Sequence, residues 1–271
     1  MARNFKLQIK GLVRFSYPSV GGFAISSVGP EKLKETLYDP ARLERRFRLF
    51  EHLALHSLAL QDEDDFRVGI LVGDSFPAAA RDRLAGLIAD FPQARIISLP
   101  EMGHIQAINA AYAALTDDPE ATHTATFRLD DDDAMHRSTT RRIAELAGAL
   151  TAARDPARPL ALAFNRGFYW DAANAQEPLT ERYENTPLGV GLALVAPVAD
   201  TTNVFRRNHR KLGQFYDCYT EVERPMFIRS VHQDNDSAAK ATGRQGTLTA
   251  RGIAKHLRSG FAMTPDHLKE I

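Results

Sequence analysis

At 271 residues and 44% hydrophobic composition, the chain is long enough to bury a sizeable core, as one large α/β domain or two small ones. Thirty-four basic residues balance thirty-four acidic ones, so no overall field favours nucleic acid or an anionic membrane, and any affinity for phosphate is local. No stretch approaches the roughly 20 apolar residues of a membrane span, and the single cysteine, Cys218, makes no internal disulfide; both features predict a cytoplasmic protein in a reducing compartment.

Residues 6–15 read as a first strand, followed by a loop over 16–22. Asp39-Pro40 predicts a helix start, aspartate suiting the cap and proline the first turn. Its buried stripe is Leu43, Phe47, Phe50, Ala54 and Leu58, at steps of three and four. A second strand over 66–72 ends at Gly73-Asp74, and a helix follows over 77–90. Residues 94–99 form a third strand and 104–115 a helix that puts Ile105, Ile108, Tyr112 and Leu115 on one face. The fourth strand covers 122–129, and Ser138 caps a helix whose core face is Ile143, Leu146 and Leu150. Strands alternating with helices predict a largely parallel sheet covered by helices. Beyond residue 159 the pattern changes to strands over 160–170, 191–198 and 226–231, with an irregular stretch over 171–187 and a helix after Ser237.

Asp130, Asp131, Asp132 and Asp133 are consecutive, between the fourth strand and the helix after it. Four carboxylates so close repel one another by several kcal/mol unless a cation sits among them, and oxygen-only ligands suit Mg²⁺ or Mn²⁺. A loop at the carboxyl end of a strand is also where α/β proteins bind ligands. The alternative is a solvated acidic turn that caps the next helix.

The segment 103–109 followed by a strand ending in Leu129 and the four aspartates resembles the glycosyltransferase A fold. More narrowly, Arg14-Phe-Ser-Tyr-Pro18, Leu37-Tyr-Asp-Pro40, Arg45-Arg-Phe-Arg-Leu-Phe-Glu51, Val72-Gly-Asp-Ser75 and Phe127-Arg-Leu-Asp-Asp-Asp-Asp133 look like the bacterial family labelled "putative rhamnosyltransferase". The resemblance implies a glycosyltransferase A-like, Rossmann-like sheet with a mixed C-terminal part: one unit in which residues 1–158 bind a nucleotide sugar and 159–271 bind the acceptor. It also implies a metal-dependent transferase that moves a sugar, rhamnose by the family's label, from a nucleotide-sugar donor to a hydroxyl of a bacterial glycan or lipid-linked saccharide. Asp130 and Asp132 fall on an Asp-x-Asp motif that holds the cation, with Asp132 the direct ligand, Asp130 also meeting the donor, and Asp131 and Asp133 supporting. Asp74 matches an acidic residue that recognises base or ribose, and Asn109 an asparagine beside the donor.

The arginine that often precedes that asparagine is Ile108 here, so Arg14 or Arg128 is expected to supply the charge. Asp234 falls where an inverting enzyme's base would be, with Asp236 its rival; Gln233 replaces the usual glutamate. His232 is a metal ligand, a second base or a hydrogen-bonded bystander, and His256 is a candidate to complete the metal shell. Phe168, Tyr169, Trp170, Tyr183 and Tyr216 either stack on an acceptor sugar or pack in the core, and the basic segment 205–211 either meets an anionic ligand or forms a solvated face. Two other readings stay open: a nucleotidyltransferase, although the loop over 16–22 lacks the basic residues to neutralise a triphosphate, and a noncatalytic metal- or glycan-binding module.

Overall fold

Strand β1 (Leu7–Arg14) is buried over most of its length, as expected of a central strand covered on both faces. It pairs in parallel with β2 (Arg67–Gly73) on one side and β4 (His123–Asp130) on the other, and β3 (Ala94–Leu99) lies parallel beyond β2. Gly11 lets β1 and β4 meet, since a Cβ there would lie 2.2 Å from the Phe127 ring. These elements come from a computed structural model, which describes residues 5–21, 29–174, 176–232, 235 and 241–271.

The back half continues the same sheet. Strand β9 (Ala193–Pro197) runs antiparallel to both β4 and β6 (Leu160–Phe164), and β10 (Asp217–Glu221) is parallel to β6. The order is β10-β6-β9-β4-β1-β2-β3. A smaller sheet contains β5 (Ala134–Met135), β7 (Arg166–Asp171), β8 (Leu179–Tyr183), β11 (Phe227–Val231) and β12 (Arg244–Gln245), in the order β12-β8-β7-β11-β5. The α/β class is as expected: a mostly parallel sheet flanked by helices, with a mixed C-terminal part.

Helix α1 (Pro30–Leu37) precedes α2 (Pro40–Leu49), which runs on through a π-helical turn (Phe50–Leu55) into α3 (His56–Ala59). The Asp39 side chain accepts from the Arg42 N–H at 2.8 Å, closing the predicted cap. The five stripe residues are all buried, packed in one cluster with Val13, Phe15 and Ile143. Helices α4 (Ala78–Leu87), α5 (His104–Ala114) and α6 (Thr139–Ala152) fall where the periodicity puts them. Helix α5 packs Ile108 and Tyr112 against Leu12 and Leu71 in a second cluster. Helix α7 (Ala250–Phe261) covers the smaller sheet through Leu257 and Phe261, and α8 (Pro265–Lys269) adds Leu268 to that cluster.

Three expectations change. The strand over 160–170 is two strands in different sheets, with the switch at Asn165, whose N–H donates to the Glu221 carbonyl and whose Nδ2 donates to the Glu184 carbonyl at 3.1 Å. The irregular stretch 171–187 contains β8. Ser138 occupies the cap position of α6 but bonds the His136 ring nitrogen at 2.8 Å, with no side-chain hydrogen bond to the helix N–H groups. The helix expected after Ser237 begins outside the described residues.

Candidate functional site

Strand β4 belongs to the large sheet and β5 to the small one, so residues 131–133 are the turn between the two sheets. Burial follows from that position: Asp131, Asp132 and Asp133 are 3–5% exposed. Buried carboxylates need partners, and each has one. Arg46 of α2 forks onto Asp131, with Nε 3.0 Å from Oδ2 and Nη2 in close contact with Oδ1, while its Nη1 lies 2.9 Å from Asp132 Oδ2. His232 Nε2, at 3.0 Å, and Asn235 Nδ2, at 2.9 Å, meet the same oxygen of Asp132. Asp133 Oδ1 accepts from the Ser230 N–H of β11 at 2.9 Å.

Asp130 is more open. Register places it opposite Arg14 of β1, and the two-residue alternation of β4 puts Arg128 on its own side of the strand. Arg128 Nη2 lies 3.1 Å from Asp130 Oδ1 and Arg14 Nη2 3.7 Å from it. The Arg128 guanidinium lies over the Phe205 ring at 4.7 Å. Gly189 makes room for it, since a Cβ there would come within 3.0 Å of Arg128 Cζ.

The proton affinities follow from these contacts. Burial alone would raise the Asp132 carboxyl, but Arg46 and His232 outweigh it and hold the group well below the usual carboxylate range. Asp130 is likewise held down by Arg128 and Arg14 against the effect of burial. Asp133 goes the other way, pushed well up by burial and by the Asp132 charge. His104 drops to about 4, through burial and then Arg14 and Arg128. His209 drops to about 3, through burial and then Arg128. Both imidazoles are neutral near pH 7.

These groups line a cavity of about 470 Å³. Arg14, Arg42, Arg46 and Arg128 face it from the front half; Arg206, Arg207 and Arg229 face it from the back half. Against them stand the four aspartates, so the described lining is formally cationic although it contains an acidic run. An anion the size of a diphosphate is the ligand such a lining favours.

Of the sequence-predicted residues, Arg14, Arg128, Asp130 and Asp132 meet in this cavity, and the basic segment reaches it through Phe205, Arg206, Arg207 and His209. Asp74 and Asn109 are exposed and outside the described lining. Asp74 accepts from Ser98 Oγ at 2.8 Å and Asn109 from Asn203 Nδ2 at 2.7 Å. Phe168, Tyr169 and Trp170 are core residues at 0–6% exposure, which leaves no face for an acceptor sugar. Tyr183 is flanked by the Arg166 and Arg244 guanidiniums at 5.0 and 4.3 Å, and Tyr216 packs against the α5 cluster. His256 on α7 is not among the lining residues. Gln233, Asp234 and Asp236 lie outside the described residues. Arg42 and Arg46 were missed in the sequence reading; two arginines four apart beside an apolar stripe are the signal that points to them.

Among the described residues, no group of three or more His, Cys, Asp or Glu side chains is arranged to hold a metal. Two carboxylates completed by substrate phosphates is, however, a usual way of holding Mg²⁺. Asp130 and Asp132 fit that donor set: all three contacts to Asp132 from described residues converge on Oδ2 and none falls on Oδ1.

The sequence profile of the family described as "putative rhamnosyl transferase" matches residues 8–244. The chain belongs to that family, a family of glycosyltransferases. No curated protein matches it. Among solved structures it is similar to S. aureus TarS 1-349, at 10% identity and a TM-score of 0.43, covering 82% of this chain and 60% of that one. It is similar also to S. aureus TarS, at 12% identity and 0.45, covering 96% and 41%. A third is TarS 1-349 in complex with UDP, at 11% identity and 0.41, covering 96% and 68%. The chain therefore spans less than two thirds of each of the first two. Among the described residues no helix is long and apolar enough to cross a membrane.

Proposed function

We propose that the protein transfers a sugar, rhamnose by the family's description, from a nucleotide-sugar donor to a hydroxyl of a bacterial glycan or lipid-linked saccharide, with inversion at the anomeric carbon. The observation that carries this reading is the cavity itself, in which Asp130 and Asp132 stand at the carboxyl end of a parallel strand among arginines. Asp130 and Asp132 are the residues to hold a divalent cation, Mn²⁺ or Mg²⁺, which when bound supplies Lewis-acid compensation of charge on the leaving diphosphate.

The chain's own groups do the rest. Arg14 and Arg128 fix the Asp130 carboxylate in its ionised form and orient it. Arg46, His232 and Asn235 fix Asp132 in the same way. Arginines on the cavity wall bind and orient the diphosphate, and their charge is already in place when the bond to the anomeric carbon breaks and its electron pair passes to the diphosphate oxygen. Asp234 is the proposed base: its carboxylate takes the proton of the acceptor hydroxyl as that oxygen bonds to the anomeric carbon. Asp74 and Asn109 belong to this reading only if the donor extends beyond the described cavity.

A thermal-shift screen of nucleoside diphosphates and nucleotide sugars, each with and without Mn²⁺, tests the donor site, because ligands that bind only the native state raise its melting temperature. One nucleotide should stabilise the protein, and Asp132→Ala should lower turnover with its sugar by about a hundredfold or more. If no nucleotide shifts the melting temperature, the transferase reading falls.

A further inference from the structure

The cavity holds more positive charge than its carboxylates use. Arg46 serves Asp131 and Asp132, and Arg14 and Arg128 share Asp130. Asp133 is occupied by the backbone N–H of Ser230. Arg229, on β11, lines the cavity half-buried, with its guanidinium 5.9 Å from the centre of the Tyr169 ring. Among the described residues it makes no hydrogen bond and no ion pair. Arg128 gives Asp130 only its Nη2, which leaves its Nη1 with no hydrogen bond to a described residue. A guanidinium N–H that faces the cavity without a protein acceptor is open to a ligand's oxygen. Both guanidiniums line the same cavity.

We infer that Arg128 and Arg229 form an anion seat that holds the donor's diphosphate without a divalent cation, so that the cation serves the departure of the diphosphate and is dispensable for its binding. This rests on the transferase reading above and adds to it a division of labour between arginines and aspartates. Charge-assisted bonds from guanidinium to phosphate are the stronger class of hydrogen bond, and two of them on a preformed wall carry binding that survives chelation.

The test is calorimetric titration of the whole chain with the nucleoside diphosphate that stabilises it best, in excess EDTA and in excess Mn²⁺, with inorganic pyrophosphate as competitor in each. Affinity in EDTA is expected within about tenfold of that in Mn²⁺, with pyrophosphate competing in both. Arg229→Met should weaken binding in EDTA by about tenfold or more, Arg229→Lys should restore part of it, and Arg158→Met, at an exposed arginine, should leave it unchanged. The melting temperature of each unliganded variant establishes that it is folded, and Arg229→Gln replaces the methionine variant if that one is not. Binding that needs Mn²⁺, or binding in EDTA that Arg229→Met leaves intact, overturns the seat while the transferase reading stands. Failure of every nucleotide to bind under both conditions removes both.

Discussion

Arg46 places one guanidinium between two buried carboxylates, with Asp131 on its fork and Asp132 on the remaining nitrogen. Removing one partner of a buried ion pair costs about 3–5 kcal/mol, because the orphaned charge stays desolvated. Arg46→Met should therefore lower the stability to urea by about that amount, and Arg46→Lys by less, since an ammonium keeps the charge and loses the fork. A loss under about 1 kcal/mol for the methionine variant would show that the pair adds little beyond packing. The acidic partners were legible from sequence because a run of four aspartates has few explanations. Arg46 was not: helical periodicity shows that it adjoins the Leu43–Phe47 stripe, but its partners lie 85 and 86 residues away. Asp74 and Asn109 show the complementary limit. Sequence puts them at a strand end and on a helix, yet which way a side chain turns there depends on neighbours such as Ser98 and Asn203.

Apart from α1 and β5, which periodicity does not mark, the elements from β1 to α6 lie within a few residues of their predicted bounds. The break at Asn165 was missed, although Asn165-Arg-Gly167 interrupts the apolar run, because a polar pair and a glycine inside a strand mark a bulge as readily as a change of sheet. The junction of β5, α6 and α7 was equally hidden, and it makes its own prediction. His136 Nδ1 accepts from the Ser138 N–H at 3.0 Å, and its ring meets Phe261 edge-on at 5.5 Å. Burial, then Arg224, lowers its pKa to about 4, against about 6.5 in the unfolded chain. Between those values the unfolded state binds the extra proton, so stability rises with pH there: it is fully present above about pH 6.5 and is lost as pH falls toward 4, at up to about 1.4 kcal/mol per pH unit. His104 and His209, depressed to about 4 and about 3, act in the same direction. Urea midpoints measured across this window should slope less in His136→Asn than in the wild type. Equal slopes would mean that His136 takes up no proton on unfolding.

At the scale of the whole molecule, the acidic turn is the seam where the large sheet hands the chain to the small one. Asp133 fastens it by accepting the Ser230 N–H of β11, while Arg46 ties it to α2. Because burial and the Asp132 charge push Asp133 toward its neutral form, its structural task is that of a neutral acceptor, which an asparagine carbonyl also performs. Asp133→Asn should thus be tolerated within about 1 kcal/mol, whereas Asp133→Ala leaves a buried N–H without an acceptor and should cost about 1–3 kcal/mol. The only tryptophan, Trp170, sits in β7 of the small sheet, so its fluorescence follows that sheet while circular dichroism follows the chain as a whole. If the seam couples the two sheets, both probes give one unfolding midpoint in the wild type and in Asp133→Asn. Asp133→Ala should then move both midpoints together to lower urea. A fluorescence midpoint that falls alone would mean that the small sheet unfolds by itself and that the carboxylate turn does not bind the two into one cooperative unit.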